Sequence, residues 1–304
     1  VSRLKKFTIT LMLRSVNITD RVTTRPINRT AEEVTPRAAG AARGGAARRV
    51  ATIARNAFRE AVRDRVLYNL VVFVLLLTAA AIFLGELSAA QEAKIIVDMG
   101  LSAMLLFGVF IATFAGVGLV YKEIERRTVY AIFSKPVGRG EFLVGKYLGL
   151  CATLAVNVSV MAAGVALALL YVRGGYDPLV ARVMPAVALV FFELTIIVAV
   201  ALLFSSFSTP ALSALLTFAI FVIGHFSADL RLLASADGTT SARLFFGALY
   251  YLLPNLSNYA YITAASHGAT PAAPDFFAAA LYALLYDAAL LAAATLIFNR
   301  RNFK

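Results

Sequence analysis

Apolar positions along this chain fall into six long runs, at 66–84, 99–121, 147–172, 183–204, 210–226 and 276–298. Each reaches the roughly 17 residues that a helix needs to cross a bilayer. Lipid offers the backbone no hydrogen-bond partner, so runs of this length predict helices. A β-barrel would instead show short alternating strands. The expected fold class is therefore all-α, a polytopic membrane protein with six transmembrane helices. Composition agrees: 60% of the 304 residues are apolar, 15% are charged and the mean hydropathy is +0.79. Soluble domains carry about 25% charged residues.

Six crossings put both termini on one side. That side then receives 24 of the 29 lysines and arginines, and without the basic leader at 1–49 it still holds 13 against 5. The positive-inside rule places both ends in the cytoplasm of a multi-pass inner-membrane protein. Most of the net charge of +12 is this asymmetry. Attraction to anionic lipid explains it, and no nucleic-acid partner is expected. The leader has eleven basic and three acidic residues and no sustained apolar period. It reads as a disordered extension, 1–49, preceding a transmembrane domain at 50–304. The segment "LKKFTITLMLR" could lie on a bilayer, but its apolar core is too short and too polar for a signal peptide.

Two segments on the cytoplasmic side are patterned. In "VATIARNAFREAVRDR", at 50–65, Val50, Ile53, Ala57, Phe58, Ala61 and Val62 share one helical face. Arg55, Arg59, Glu60, Arg63 and Asp64 take the other, as in a helix lying at headgroup level. After the second run comes "YKEIERRTVYAIFSKPVGRGEFLVGKY". Glu123, Glu125, Arg126 and Arg127 leave the membrane, and Ile124, Thr128, Ala131 and Ile132 can share a face of a short helix that Pro136 ends. Exposed Tyr130 and Phe133 among mixed charge invite a protein partner.

The same stretch contains "GEFLVGKY", close to the phosphate-binding G-x-x-x-x-G-K-[ST]. A phosphate cradle needs small residues, a preceding strand and a hydroxyl for magnesium. Here the interior is Glu, Phe, Leu and Val, no strand precedes it, and Tyr147 stands at the hydroxyl position. The match is accidental, and Lys146 reads as a snorkelling anchor.

Two carboxylates fall inside runs at similar depth, Glu193 and Asp287. Charge there costs about 2.5–3.5 kcal/mol on insertion scales, so both should face protein or water. They could line a transport path, or make interhelical contacts with Asn157 or Tyr286. Gly108, Ala112 and Gly116 allow close helix packing. Phe245, Phe246, Tyr250, Tyr251, Tyr259 and Tyr261 suit an interfacial belt. The single cysteine, Cys151, excludes an intrachain disulfide, and His225 and His267 form no metal-ligand pattern.

"FREAVRDRVLYNL", "YKEIERRTVYAIFSKPVGRGEFLVGKYLG" and the closing "FNRRNFK" resemble the membrane subunit of type-2 ABC exporters. The nearest likeness is to the permeases of nitrous-oxide-reductase copper-site maturation. The resemblance covers residues 50–304. It implies that 50–65 is an elbow helix carrying Arg55, Phe58, Arg59 and Arg63. It also implies that 123–134 is a coupling helix docking on a separate ATPase subunit through Glu123, Glu125, Arg126, Arg127, Tyr130 and Phe133. Short re-entrant helices would separate the last two crossings. No cofactor is then expected in this chain, since ATP and magnesium would sit in the partner subunit. The chain would not be an enzyme by itself, and a second permease subunit would complete a homodimer or heterodimer. A proton-coupled carrier using Glu193 and Asp287 is the alternative, as is a non-transporting scaffold. An intramembrane enzyme lacks a nucleophile–base pair.

Overall fold

The computed structural model describes residues 36–63, 65–86, 91–125, 138–175, 177–227 and 240–300. Nine α-helices and one 3₁₀ helix are formed among the described residues, with no strand. In chain order they are α1 (Pro36–Val62), α2 (Arg65–Glu86), α3 (Glu92–Glu125), α4 (Arg139–Arg173) and α5 (Pro178–Ser205), followed by α6 (Pro210–His225), α7 (Thr240–Leu252), the 3₁₀ turn Leu256–Tyr259, α8 (Ile262–Ser266) and α9 (Ala273–Arg300). Contacts divide the described residues at position 43/44 into two units. The second unit holds the bundle.

Four helices are long and apolar enough to cross a membrane, within Glu92–Leu119, Arg139–Arg173, Pro178–Ser205 and Ala273–Arg300. Two further apolar stretches are shorter, Val74–Phe83 within α2 and Pro210–His225. At 16 residues, α6 rises only about 24 Å against a hydrocarbon core of about 30 Å.

α5 is the axis of the bundle. Every side chain from Glu193 to Leu202 is buried, and from Ile196 onward this segment is apolar all round instead of striped. α3, α4, α6 and α9 pack around it, along with the 3₁₀ turn and α8. α3 runs parallel to α5: a Cβ on Gly108 would meet Leu194, and one on Gly116 would meet Ala201. The small face of α3 is therefore spent inside the subunit. The outward faces are greasy, with Leu76, Phe83, Leu167, Leu215, Leu281 and Leu284 all exposed. In water such a surface would drive association, whereas lipid accepts it.

Helix ends follow local chemistry. α4 starts at Gly138, whose N–H donates to Oε2 of Glu141 at 3.4 Å, and stops where Gly174 adopts a left-handed φ of 68°. Asp177 caps α5 by accepting from the Leu179 N–H at 2.8 Å, with Pro178 in the first turn.

Two expectations change. The helix predicted at 50–65 is α1, and it begins at Pro36, inside the segment expected to be disordered. Ala and Arg are strong helix formers, and their propensity carries a stretch that has no apolar period. Tyr259 does not belong to an interfacial belt; it is buried, and its hydroxyl donates to the Ala279 carbonyl at 2.8 Å.

Candidate functional site: a helix crossing at the start of α4

The amphipathic face of α1 meets the first turns of α4. Ala57 and Ala61 are buried, Ile53 and Phe58 half-buried, while Arg55, Arg59 and Arg63 are exposed. The crossing is set by two glycines one turn apart in α4. A Cβ on Gly145 would lie 2.7 Å from Ile53 and 3.2 Å from the Val50 carbonyl oxygen. A Cβ on Gly149 would lie 2.5 Å from the Ala54 carbonyl oxygen and 2.6 Å from Ala57 Cβ. Only glycine lets the two backbones approach this closely.

Ion pairs flank the crossing. Arg49 Nε and Nη2 donate to the two carboxylate oxygens of Glu141 at 2.8 and 2.7 Å, a bidentate pair. That hydrogen bonding holds the Arg49 guanidinium protonated beyond its already high pKa. Lys146 Nζ lies 3.6 Å from Glu60 and 5.8 Å from the centre of the Phe142 ring. Lys146 is 4% exposed, so it is a buried tie to α1 and not the snorkelling anchor its position suggested.

α9 closes the other flank. Arg139 donates to the Phe298 and Asn299 carbonyls at 2.7 and 3.0 Å, satisfying the last turn of α9. Phe142 stacks on Phe298 at 6.3 Å, and these two close a small core with Leu143 and Ala294. The "GEFLVGKY" stretch is thus continuous helix, with Gly140 facing Thr295 and Gly145 facing α1. Its glycines serve packing, which the G-x-x-x-G spacing of "GKYLG" could have signalled.

Both intramembrane carboxylates turn inward. Asp287 Oδ2 accepts from the Tyr147 hydroxyl at 2.6 Å. Neither expected partner serves it, because Tyr286 donates to the Leu252 carbonyl at 2.9 Å and Asn157 Nδ2 makes no hydrogen bond. Glu193, 1% exposed, has Oε1 3.4 Å from His225 Nε2 at the end of α6. The sequence reading missed this histidine, since 32 positions separate the two residues.

Of the residues expected to dock a partner, Glu123 and Glu125 end α3. Arg126, Arg127, Tyr130 and Phe133 lie outside the described residues. No group of three or more His, Cys, Asp or Glu that could hold a metal is gathered among the described residues.

A bundle of apolar helices around a buried axis, with a lipid-compatible exterior and a surface helix locked to one end, defines a multi-pass membrane protein. Residues 51–303 match the family described as ABC-2 family transporter protein, and the chain belongs to that family. The match covers the bundle and most of the part of α1 that packs on it. Comparison with curated proteins gives no significant match. Family membership makes the chain a transport component, a membrane permease of the ABC-2 type.

Proposed function

We propose that the chain is the permease subunit of an ATP-driven exporter, forming the translocation path as a dimer and coupled to a separate ATPase subunit. The observation that carries the reading is the family match over 51–303. In this reading the helices of the bundle, including α2 and α6, make six crossings, with both termini cytoplasmic and the chain in the inner membrane. Residues 50–65 are the elbow helix, and 123–134 form the coupling helix. ATP and magnesium are held by the partner. The likeness of "YKEIERRTVYAIFSKPVGRGEFLVGKYLG" to copper-site maturation permeases supports placement in that branch.

The locked corner gives the reading a mechanism. A force applied between α3 and α4 meets a start of α4 already fixed to α1 and α9, so it moves helices together instead of bending one. Shifting a two-state equilibrium from 1:99 to 99:1 takes about 5.5 kcal/mol of differential binding. An ATPase that contacts two membrane states differently can supply it.

The experiment is copurification with an ATPase subunit followed by reconstitution. Vanadate-sensitive transport, with hydrolysis uncoupled by charge reversal at Glu125 and Arg126 and insertion intact, supports the reading. Transport that ignores vanadate and follows a proton gradient would favour the carrier alternative. The buried Glu193–His225 contact is the observation on its side.

A further inference from the structure

At the end of the bundle opposite α1, a cavity of about 360 Å³ opens among the start of α3, the end of α4, the start of α5 and the end of α8. Lys94, Arg173, Arg182 and His267 line it, over a floor that includes buried Ala93 and Ser266. On the topology proposed above, only five of the 29 lysines and arginines lie on this side: Lys94, Arg173, Arg182, Arg231 and Arg243. Three of the five converge on one cavity, on the face where cations are scarce.

The charge there is only partly compensated. Asp177 is the single carboxylate in the lining, and it pairs with Arg173 at 3.1 Å. It also caps α5, so its oxygens are already engaged. Lys94 and Arg182 have no carboxylate partner among the described residues, which leaves two positive charges facing the same space. The N-terminus of α3 borders the same space: Ala93 and Lys94 belong to its first turn, where backbone N–H groups lack acceptors in the helix, and Glu92, the acidic residue of that turn, lies outside the lining. His267 accompanies them with its Nδ1 2.8 Å from the Thr263 carbonyl. That bond puts the proton on Nδ1 and turns Nε2 away from the turn.

We infer that this cavity is a binding site for a phosphate monoester group. A phosphate monoester carries about −1.5 to −2 charge at neutral pH and three acceptor oxygens. It therefore matches two uncompensated cations, one of them a planar guanidinium fork suited to paired oxygens. The group could arrive as a soluble anion or as the headgroup of an outer-leaflet lipid, because the cavity opens where helices leave the apolar region. Its placement on the outer side rests on the topology proposed above, while its lining residues do not depend on what drives transport.

The test uses the full chain in nanodiscs of neutral phosphatidylcholine. In one arm inorganic phosphate is titrated and binding is read by calorimetry. In the other, discs containing phosphatidic acid are compared with discs containing only the neutral lipid, and bound lipid is read by native mass spectrometry. Binding in either arm, weakened about tenfold or more by Lys94→Gln or Arg182→Gln and unchanged by Arg243→Gln, supports the site. The arm that responds identifies the source. Each variant's unfolding temperature without anion serves as the control for folding. Absence of binding in both arms, or binding that both substitutions leave unchanged, overturns the inference.

Discussion

Where α1, the start of α4 and the end of α9 meet, cations are committed: Arg49 to Glu141, Arg139 to two carbonyls, Lys146 to Glu60. At the opposite end, tyrosine hydroxyls do the tying. Tyr259 donates to Ala279, and Tyr282 accepts from the Asn255 N–H at 2.9 Å. Cations there are left facing a cavity. The contrast separates two tasks. One end is held in fixed register by backbone contact and paired charge, as the point proposed to receive force from an ATPase would need to be. The other is tied mainly by neutral hydrogen bonds, with one ion pair between Arg173 and Asp177, and Lys94 and Arg182 line the proposed phosphate site.

The largest effect should come from breaking the register of the first end. Gly149→Leu drives a side chain into the Ala54 carbonyl, and overpacking of this kind costs about 1–3 kcal/mol. Thermal unfolding in nanodiscs should show the loss, and Gly118→Leu, whose Cβ meets nothing within 4 Å, should not. Between the two ends, Tyr147→Phe leaves Asp287 buried without its donor, at a cost of about 1–3 kcal/mol by the same measurement. Asp287→Asn in the Tyr147→Phe background should recover part of the loss.

Smaller effects sharpen the comparison. Tyr259→Phe removes one neutral hydrogen bond at the second end, worth about 0.5–1.5 kcal/mol, with little response to salt. The Arg49–Glu141 pair is only half-buried, so its coupling in a double-mutant cycle should be the smallest and should shrink as salt rises. A salt-independent coupling would show that the pair is shielded from solvent.

Much of the fold was legible because lipid imposes a simple rule. The apolar runs mark the helices of the bundle, and the face of α1 carrying Ile53, Ala57 and Ala61 was readable from its period. What sequence could not supply was pairing at a distance. Nothing in spacing ties Tyr147 to Asp287, 140 positions away, or His225 to Glu193. The start of α1 is not legible in the sequence because its alanines and arginines carry helix propensity without an apolar pattern and are interrupted by Gly40, Gly44 and Gly45. In "GEFLVGKY" the phosphate-loop spacing is accidental, and the informative partner of Gly145 is Gly149, four residues on. The three cations of the cavity come from α3, α4 and α5, so only the folded bundle gathers them.

On the proposed reading, the end bearing the α1–α4 crossing faces the cytoplasm, where the partner ATPase would act. Single cysteines introduced at Gly138 and at Asp275, in a Cys151→Ala background, report it through a membrane-impermeant thiol reagent applied to intact cells. Labelling at position 275, with 138 reached only after the membrane is opened, is the expected result. Labelling of 138 from outside the intact cell, with 275 protected, would contradict the account.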